Sequence, residues 1–118
     1  VLAASLPMAS PPATPPPFAC RAHALDKVQR SRQQALLEVV RRSAVGKHDL
    51  PDGLALTFPA DPALFVELAE WVSLERRCCP FLEFALEWKA NDNVAVRLTG
   101  QPGVKEFIAA EMGVRADR

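Results

Sequence analysis

The sequence predicts an α+β domain in which a small, mainly antiparallel three-stranded sheet packs against helices. Two long segments carry apolar residues at helical spacing, three short segments are typical of strands, and glycine or proline residues separate them. The predicted order of elements is α-β-α-β-β-α. That order favours a sheet that is covered by helices on its apolar face.

The first predicted helix runs from Leu25 to about Ala44. Its apolar residues recur at spacings close to three and four, which builds one stripe along the helix. Arginine and glutamine residues, Gln33 among them, take much of the opposite face. Gly46 is expected to end the helix. The members of the apolar stripe are Leu25, Val28, Leu36, Val39 and Val40.

A loop and a short strand are predicted after the first helix. The segment KHDLPDG (47–53) is polar and contains turn-forming residues, so it is interpreted as a loop. The segment LALTF (54–58) lies between Gly53 and Pro59, and its composition is typical of a short strand.

A second long helix is predicted from DPALFVELAEWVSLERRCC. Asp61 can cap its first turn, and Pro62 occupies a position where its missing N–H would be unpaired anyway. Pro80 disfavours helical geometry at the residue before it. The helix is therefore expected to end at Cys78 or Cys79.

A hairpin and a last helix complete the predicted domain. The segments FLEFALEW (81–88) and VAVRLTG (94–100) both alternate apolar and polar residues, and ANDN (90–93) between them supplies turn residues. Together they predict an antiparallel hairpin. The segment VKEFIAAEM (104–112) is predicted to be helical, with Gly113 as its stop.

Length and composition indicate one domain, which we place at residues 18–118. The chain has 118 residues and 49% of them are apolar, which suffices for a single core. Residues 1–17 form a proline-rich leader that is expected to be extended or disordered. Fourteen basic residues balance fourteen acidic residues, which argues against nucleic-acid binding by this chain alone. No apolar run approaches the ~18 residues that span a membrane.

The cysteine content favours a reducing compartment, and the cytoplasm is the predicted location. Three cysteines is an odd and low number, whereas a disulfide-stapled secreted domain usually carries four, six or eight. Residues 1–10 could instead be the remnant of a signal peptide, which would indicate the periplasm. That segment lacks a basic region, since the first positive charge is Arg21, and Pro7 interrupts it.

Two adjacent cysteines at the end of the second helix are the strongest candidates for chemistry. Thiolates favour soft ions such as Hg(II), Cu(I), Zn(II) and trivalent arsenic. Two thiols do not complete a tetrahedral zinc site, which needs four ligands. Cys20 and His23, spaced three apart, could supply the missing pair. The candidate metal ligands are Cys20, His23, Cys78 and Cys79.

Glu75 is the one acidic residue predicted to lie beside these thiols. It precedes Cys78 by three residues, so both side chains lie on the same side of the helix, and it could act as a hydrogen-bond partner or a general base. The carboxyl end of a helix raises the pKa of a thiol, whereas Arg76 and Arg77 work in the opposite direction. A CxxC motif is absent from the sequence. No catalytic residue and no organic cofactor is assigned, and a non-enzymatic role is favoured.

Four segments together resemble a family of small, uncharacterised bacterial α+β proteins that occur fused to, or encoded near, MerR-type metal-responsive regulators. The segments are FAC, DG-L-L-F, LAEW…E-RCCPFLEFAL and VRLTGQPGVKEFI, and the resemblance covers about residues 18–113. Cys20, Cys78 and Cys79 match the family pattern, and Glu75 falls on its usual acidic position. His23 and the leader lie outside the pattern. The resemblance implies a metal or thiol context and no particular activity.

Three functions remain open from the sequence. The first is a thiol module that binds Hg(II) or trivalent arsenic, with zinc and copper as further candidates, through Cys20, Cys78 and Cys79. The second is a structural or interaction domain whose cysteines pack in the core; a homodimer that pairs through a sheet edge or a helical face is the expected assembly. The third is a thiol-dependent redox enzyme with Cys79 as nucleophile, Cys78 as resolving residue and Glu75 assisting.

Overall fold

The structure is a computed structural model, and it describes residues 18–113. The predicted leader (1–17) and residues 114–118 lie outside the described residues. Within them, a short 3₁₀ turn precedes three helices and four strands. These elements are the turn Ala22–Ala24, α1 (Lys27–Ser43), β1 (Gly46–Leu50), β2 (Gly53–Phe58), α2 (Pro62–Cys78), β3 (Glu83–Trp88), β4 (Val94–Thr99) and α3 (Val104–Phe107), which continues as a π-helical segment, Ile108–Met112.

The predicted three-stranded sheet and the predicted order α-β-α-β-β-α are wrong. The described chain is α+β with the order α-β-β-α-β-β-α, and its sheet has four strands in the order β1-β2-β4-β3. Every neighbouring pair of strands is antiparallel. The additional strand, β1, lies in the segment that the sequence analysis interpreted as a loop.

β1 was not predicted because its residue types are uncommon in strands. Its sequence, GKHDL, contains glycine, lysine and aspartate, which are depleted in strands. The strand forms because its backbone pairs with β2 from Gly46 opposite Thr57 to Leu50 opposite Gly53, which leaves only Pro51 and Asp52 to turn the chain. β1 is an edge strand, and charged residues are common on edges because they discourage pairing with other chains.

The two hairpins meet at the centre of the sheet, where β2 pairs with β4. A Cβ atom at Gly53 would lie 1.9 Å from the carbonyl oxygen of Leu98 on β4, so glycine is required at this close approach. The central strands and the helices contribute side chains to one core. Its buried members include Leu36, Val40, Leu54, Leu56, Phe58, Leu64, Leu68, Trp71, Val94, Val96, Leu98, Val104 and Ile108.

Both long helices agree with the predictions for their extent. The N-cap of α2 is confirmed, since the Asp61 side chain accepts a hydrogen bond from the Leu64 N–H at 3.3 Å. One member of the predicted apolar stripe of α1 is wrong: Val28 is 78% exposed. Leu25 precedes the helix and is buried at this end, which leaves Val28 in a solvent-facing part of the first turn.

The second hairpin forms as predicted. β3 and β4 pair from Glu83 opposite Thr99 to Trp88 opposite Val94. Val94, Val96 and Leu98 are buried, in agreement with the alternation in the sequence. Among residues 18–113, no helix is both long enough and apolar enough to cross a membrane.

Candidate thiol site

The C-terminal end of α2 brings three chemically interesting side chains to one place in the fold. Glu75 lies in the last turn, Cys78 is the last helical residue, and Cys79 is the C-cap, whose N–H donates to the Glu75 carbonyl at 2.8 Å. All three are buried. Sequence reasoning predicted this grouping, because the residues are three and four positions apart on one helix.

Residues 18–25, which we call the N-terminal strap, carry Cys20 to the end of α2. Phe18 packs against Phe81 with ring centroids 5.2 Å apart, which anchors one end of the strap. The Arg21 N–H donates to the Cys78 carbonyl at 2.9 Å. The Arg77 guanidinium donates to the Ala24 carbonyl at 2.9 Å and holds the other end. These contacts hold the strap against the end of α2 on both sides of Cys20.

The side chains of Cys20 and Cys79 are in contact although they come from distant parts of the sequence. Their Sγ atoms are 3.6 Å apart, within hydrogen-bond distance for two thiols, although the residues are separated by 59 positions. Both are free thiols. Cys20 is exposed, whereas Cys79 has no exposed surface. The contact thus joins a thiol that solvent can reach to one that it cannot.

Glu75 is a buried carboxyl group with a partner on each oxygen. It is 4% exposed. The Gln33 side-chain amide on α1 donates to Oε2 at 2.7 Å, and the Cys79 thiol donates to Oε1 at 3.8 Å. Burial raises the pKa of Glu75 above its ordinary value, and these two hydrogen bonds only partly oppose the rise. Gln33 was assigned to the wet face of α1, so its role was missed.

All three thiols are held in the neutral form. Burial raises the pKa of Cys79 far above its ordinary value, and the neighbouring Cys20 and Glu75 raise it further. Burial also raises the pKa values of Cys20 and Cys78. At neutral pH the site therefore holds thiols, which are weaker nucleophiles than thiolates.

The remaining predicted ligands are placed differently. Cys78 is buried next to Cys79 at the end of α2. His23 is exposed in the 3₁₀ turn and makes no side-chain hydrogen bond within the described part of the chain. Across residues 18–113, no group of three or more histidine, cysteine, aspartate or glutamate side chains is arranged to hold a metal ion. The structure thus shows a close pair of thiols, and the four-ligand set stays a prediction.

A cavity of about 200 Å³ opens beside the thiol pair. Cys20 and Glu75 line it from the strap and α2, and the C-terminal segment closes it from another side. Glu111 and Met112 come from that segment and were not identified from the sequence, because no local pattern links them to the cysteines. The full lining is Cys20, Gln33, Gln34, Leu37, Glu75, Glu111 and Met112.

Comparison with known proteins yields no relative for this arrangement: no protein-family model, curated protein or solved structure matches the chain. The resemblance to the bacterial family associated with MerR-type regulators accordingly stays a prediction from the motifs.

Proposed function

We propose that this chain is a non-enzymatic thiol module that captures a soft metal ion or metalloid through Cys20 and Cys79. An ion that takes three sulfurs would also need the adjacent Cys78, the third cysteine of the predicted set. The observation that carries the proposal is the 3.6 Å contact between the Cys20 and Cys79 sulfurs, made by residues 59 positions apart. Cys20 and Cys79 are both members of the set that the sequence analysis singled out.

The access route supports binding rather than inert packing of both sulfurs. Cys20 lines the 200 Å³ cavity, so an incoming ion meets this thiol first. The buried Cys79 thiol lies directly behind it. Gln33 and Glu75 add polar groups to the wall, which gives a hydrated ion partners as it loses water.

Charge balance indicates which ions suit the site. The thiols are neutral before binding, and metal binding releases their protons. Hg(II) with two thiolates, or trivalent arsenic with three, carries no net charge. Zinc held by the predicted set of three thiolates and a neutral His23 would place one net negative charge beside the buried Glu75, which is costly. Glu75 Oε1, 3.8 Å from the Cys79 sulfur, is placed to accept the proton that Cys79 loses.

The test is titration of the reduced full chain with Hg(II) under nitrogen. Binding is monitored by the ultraviolet absorption band of thiolate-to-mercury charge transfer. We expect one equivalent to bind tightly enough to resist competition from a small monothiol. Cys20→Ser and Cys79→Ser should each lose this resistance. Glu75→Gln should weaken binding by about 10-fold or more, as removal of groups around metal ligands usually does.

His23→Ala is the matched control, because His23 is exposed and lies outside the thiol pair. It should bind Hg(II) as the wild-type chain does. If Cys20→Ser and Cys79→Ser resist the competitor as well as the wild-type chain does, the proposal is wrong. If His23→Ala loses binding, the ligand set extends beyond the two sulfurs.

The burial of Cys78 and Cys79 favours a second candidate, a structural or interaction domain with packing cysteines. A small buried cysteine packs as an apolar residue. Under this account, Hg(II) uptake would not depend on Cys79, and replacing the cysteines would change only the free energy of unfolding. A thiol enzyme with Cys79 as nucleophile has less support, because this thiol has no exposed surface and its pKa is raised.

A further inference from the structure

We propose that Cys20 and Cys79 are also a modification site: they form a reversible disulfide that closes the thiol site when the surroundings become oxidising. The disulfide itself follows from the geometry of the two sulfurs. Its consequence, the loss of metal capture, rests on the proposed function.

The distance between the sulfurs is the first argument. They lie 3.6 Å apart, and a disulfide bond is about 2.05 Å long, so the pair must close by about 1.5 Å. Cys79 is held at the C-cap of α2 by its N–H bond to the Glu75 carbonyl. Cys20 is exposed, and its anchors in the strap are on neighbouring residues rather than on its own side chain. The strap is therefore the part that adjusts.

The neighbouring Cys78 is a poorer partner for either sulfur. Consecutive Cα atoms are about 3.8 Å apart, which is below the ~4.4–6.8 Å that disulfides normally span, so a Cys78–Cys79 bond would be strained. The described contacts also place the Cys20 sulfur against Cys79 rather than against Cys78. The geometry thus selects one of the three pairings that three cysteines allow.

The chemistry balances with a low-molecular-weight disulfide as oxidant. Cys20 loses its proton to water, attacks one sulfur of that disulfide and forms a mixed disulfide, which releases one thiolate. Cys79 then passes its proton to Glu75, attacks the Cys20 sulfur and releases the second thiolate. The two cysteines are oxidised by two electrons, and the small disulfide is reduced to two thiols that take up the two protons.

The order of events follows from exposure. The small disulfide reaches Cys20, which is exposed, and does not reach Cys79, which is sealed. Cys79 is in contact with the Cys20 sulfur, so its attack on the mixed disulfide is an intramolecular step. The exposed thiol therefore takes the first step and the buried thiol resolves the mixed disulfide.

The test treats the reduced full chain with oxidised glutathione, without metal, and reads the product by intact mass and peptide mapping. We expect a loss of two hydrogen atoms per chain and recovery of the starting mass with dithiothreitol. Cys78→Ser is the matched control, because it leaves Cys79 as the only cysteine in its peptide. This variant should form the link to Cys20 as the wild-type chain does.

Cys79→Ser should instead stop at the mixed disulfide on Cys20 and gain the mass of one glutathione less two hydrogen atoms. A Cys78–Cys79 link, or a wild-type chain that carries only mixed disulfides, would overturn the inference. Oxidised chain should then lose tight Hg(II) capture and regain it on reduction. Because the link is read without metal, a failure of Hg(II) capture in the reduced chain would count against the proposed function alone.

Discussion

The two ends of α2 are built in different ways. At the N-terminal end, Asp61 caps the Leu64 N–H and Pro62 fills the first turn, so each group is satisfied by a residue at most three positions away. At the C-terminal end, Glu75 depends on Gln33, which lies 42 positions earlier. Cys79 contacts Cys20, which lies 59 positions earlier.

This difference separates residues that stabilise the helix from residues that the helix positions for contacts with distant segments. The Asp61 cap stabilises helical backbone, and many sequences would serve equally well. A buried carboxyl group beside two thiols adds nothing to helix formation, and its desolvation opposes folding. A well-packed apolar residue in place of Glu75 would avoid that cost, so helix formation does not account for a carboxyl group at this position.

The largest effect is expected when the C-terminal end loses its distant partner. Gln33→Leu removes the amide that donates to Glu75 Oε2 and leaves the buried carboxyl short of a hydrogen bond. A buried acceptor left without its hydrogen bond costs about 1–3 kcal/mol, so we expect the free energy of unfolding to fall by about 2 kcal/mol. Urea denaturation measures this value.

Gln34→Leu is the matched control for that change. Gln34 lines the same cavity but is exposed, and its side chain makes no hydrogen bond within the described residues. Its replacement should stay within about 0.5 kcal/mol of wild type. If Gln33→Leu and Gln34→Leu are equally mild, Glu75 does not depend on Gln33 and the contrast between the two helix ends is lost.

A smaller effect is expected at the N-terminal end. Asp61→Ala removes the side-chain acceptor for the Leu64 N–H, which typically costs about 1 kcal/mol of stability. Asp61→Asn keeps an acceptor and should lie close to wild type. Neither change should alter Hg(II) capture, since the cap lies at the far end of α2 from Cys79. Loss of capture in Asp61→Ala at full occupancy of the folded state would contradict this separation.

The same contrast explains what could be predicted from the sequence. The cap at Asp61, the stop before Pro80 and the grouping of Glu75 with Cys78 and Cys79 follow from residues a few positions apart, and all of them were predicted. β1 was missed because backbone pairing with β2, and not its own side chains, forms the strand. Its polar sequence looks like a loop until the partner strand is known.

The candidate site divides along the same line. Cys20 contacts Cys79 because of the way in which residues 18–25 cross the end of α2. No spacing in the sequence predicts that crossing. Gln33 was assigned to solvent because the pattern of α1 shows which face is polar, but not that part of this face meets another helix. The sequence named Cys20 as a candidate ligand, but which distant side chains are in contact becomes visible only in the folded chain.

The smallest change in the free energy of unfolding is expected for Glu75→Gln at acid pH, and this change should grow as the pH rises. The folded chain raises the pKa of Glu75 above its ordinary value of 4.5, chiefly through burial, so the folded state binds this proton more tightly than the unfolded state does. This carboxyl therefore favours folding fully only below pH 4.5, and that contribution is lost as the pH rises through the folded pKa.

Glutamine keeps the shape and the acceptor but cannot ionise. The variant should match wild type near pH 4 and become the more stable of the two towards pH 8, as measured by urea denaturation across that range. A stability difference that does not change with pH would mean that Glu75 has the same pKa in the folded and unfolded states. Burial of its carboxyl group at the C-terminal end of α2 would then carry no cost from ionisation.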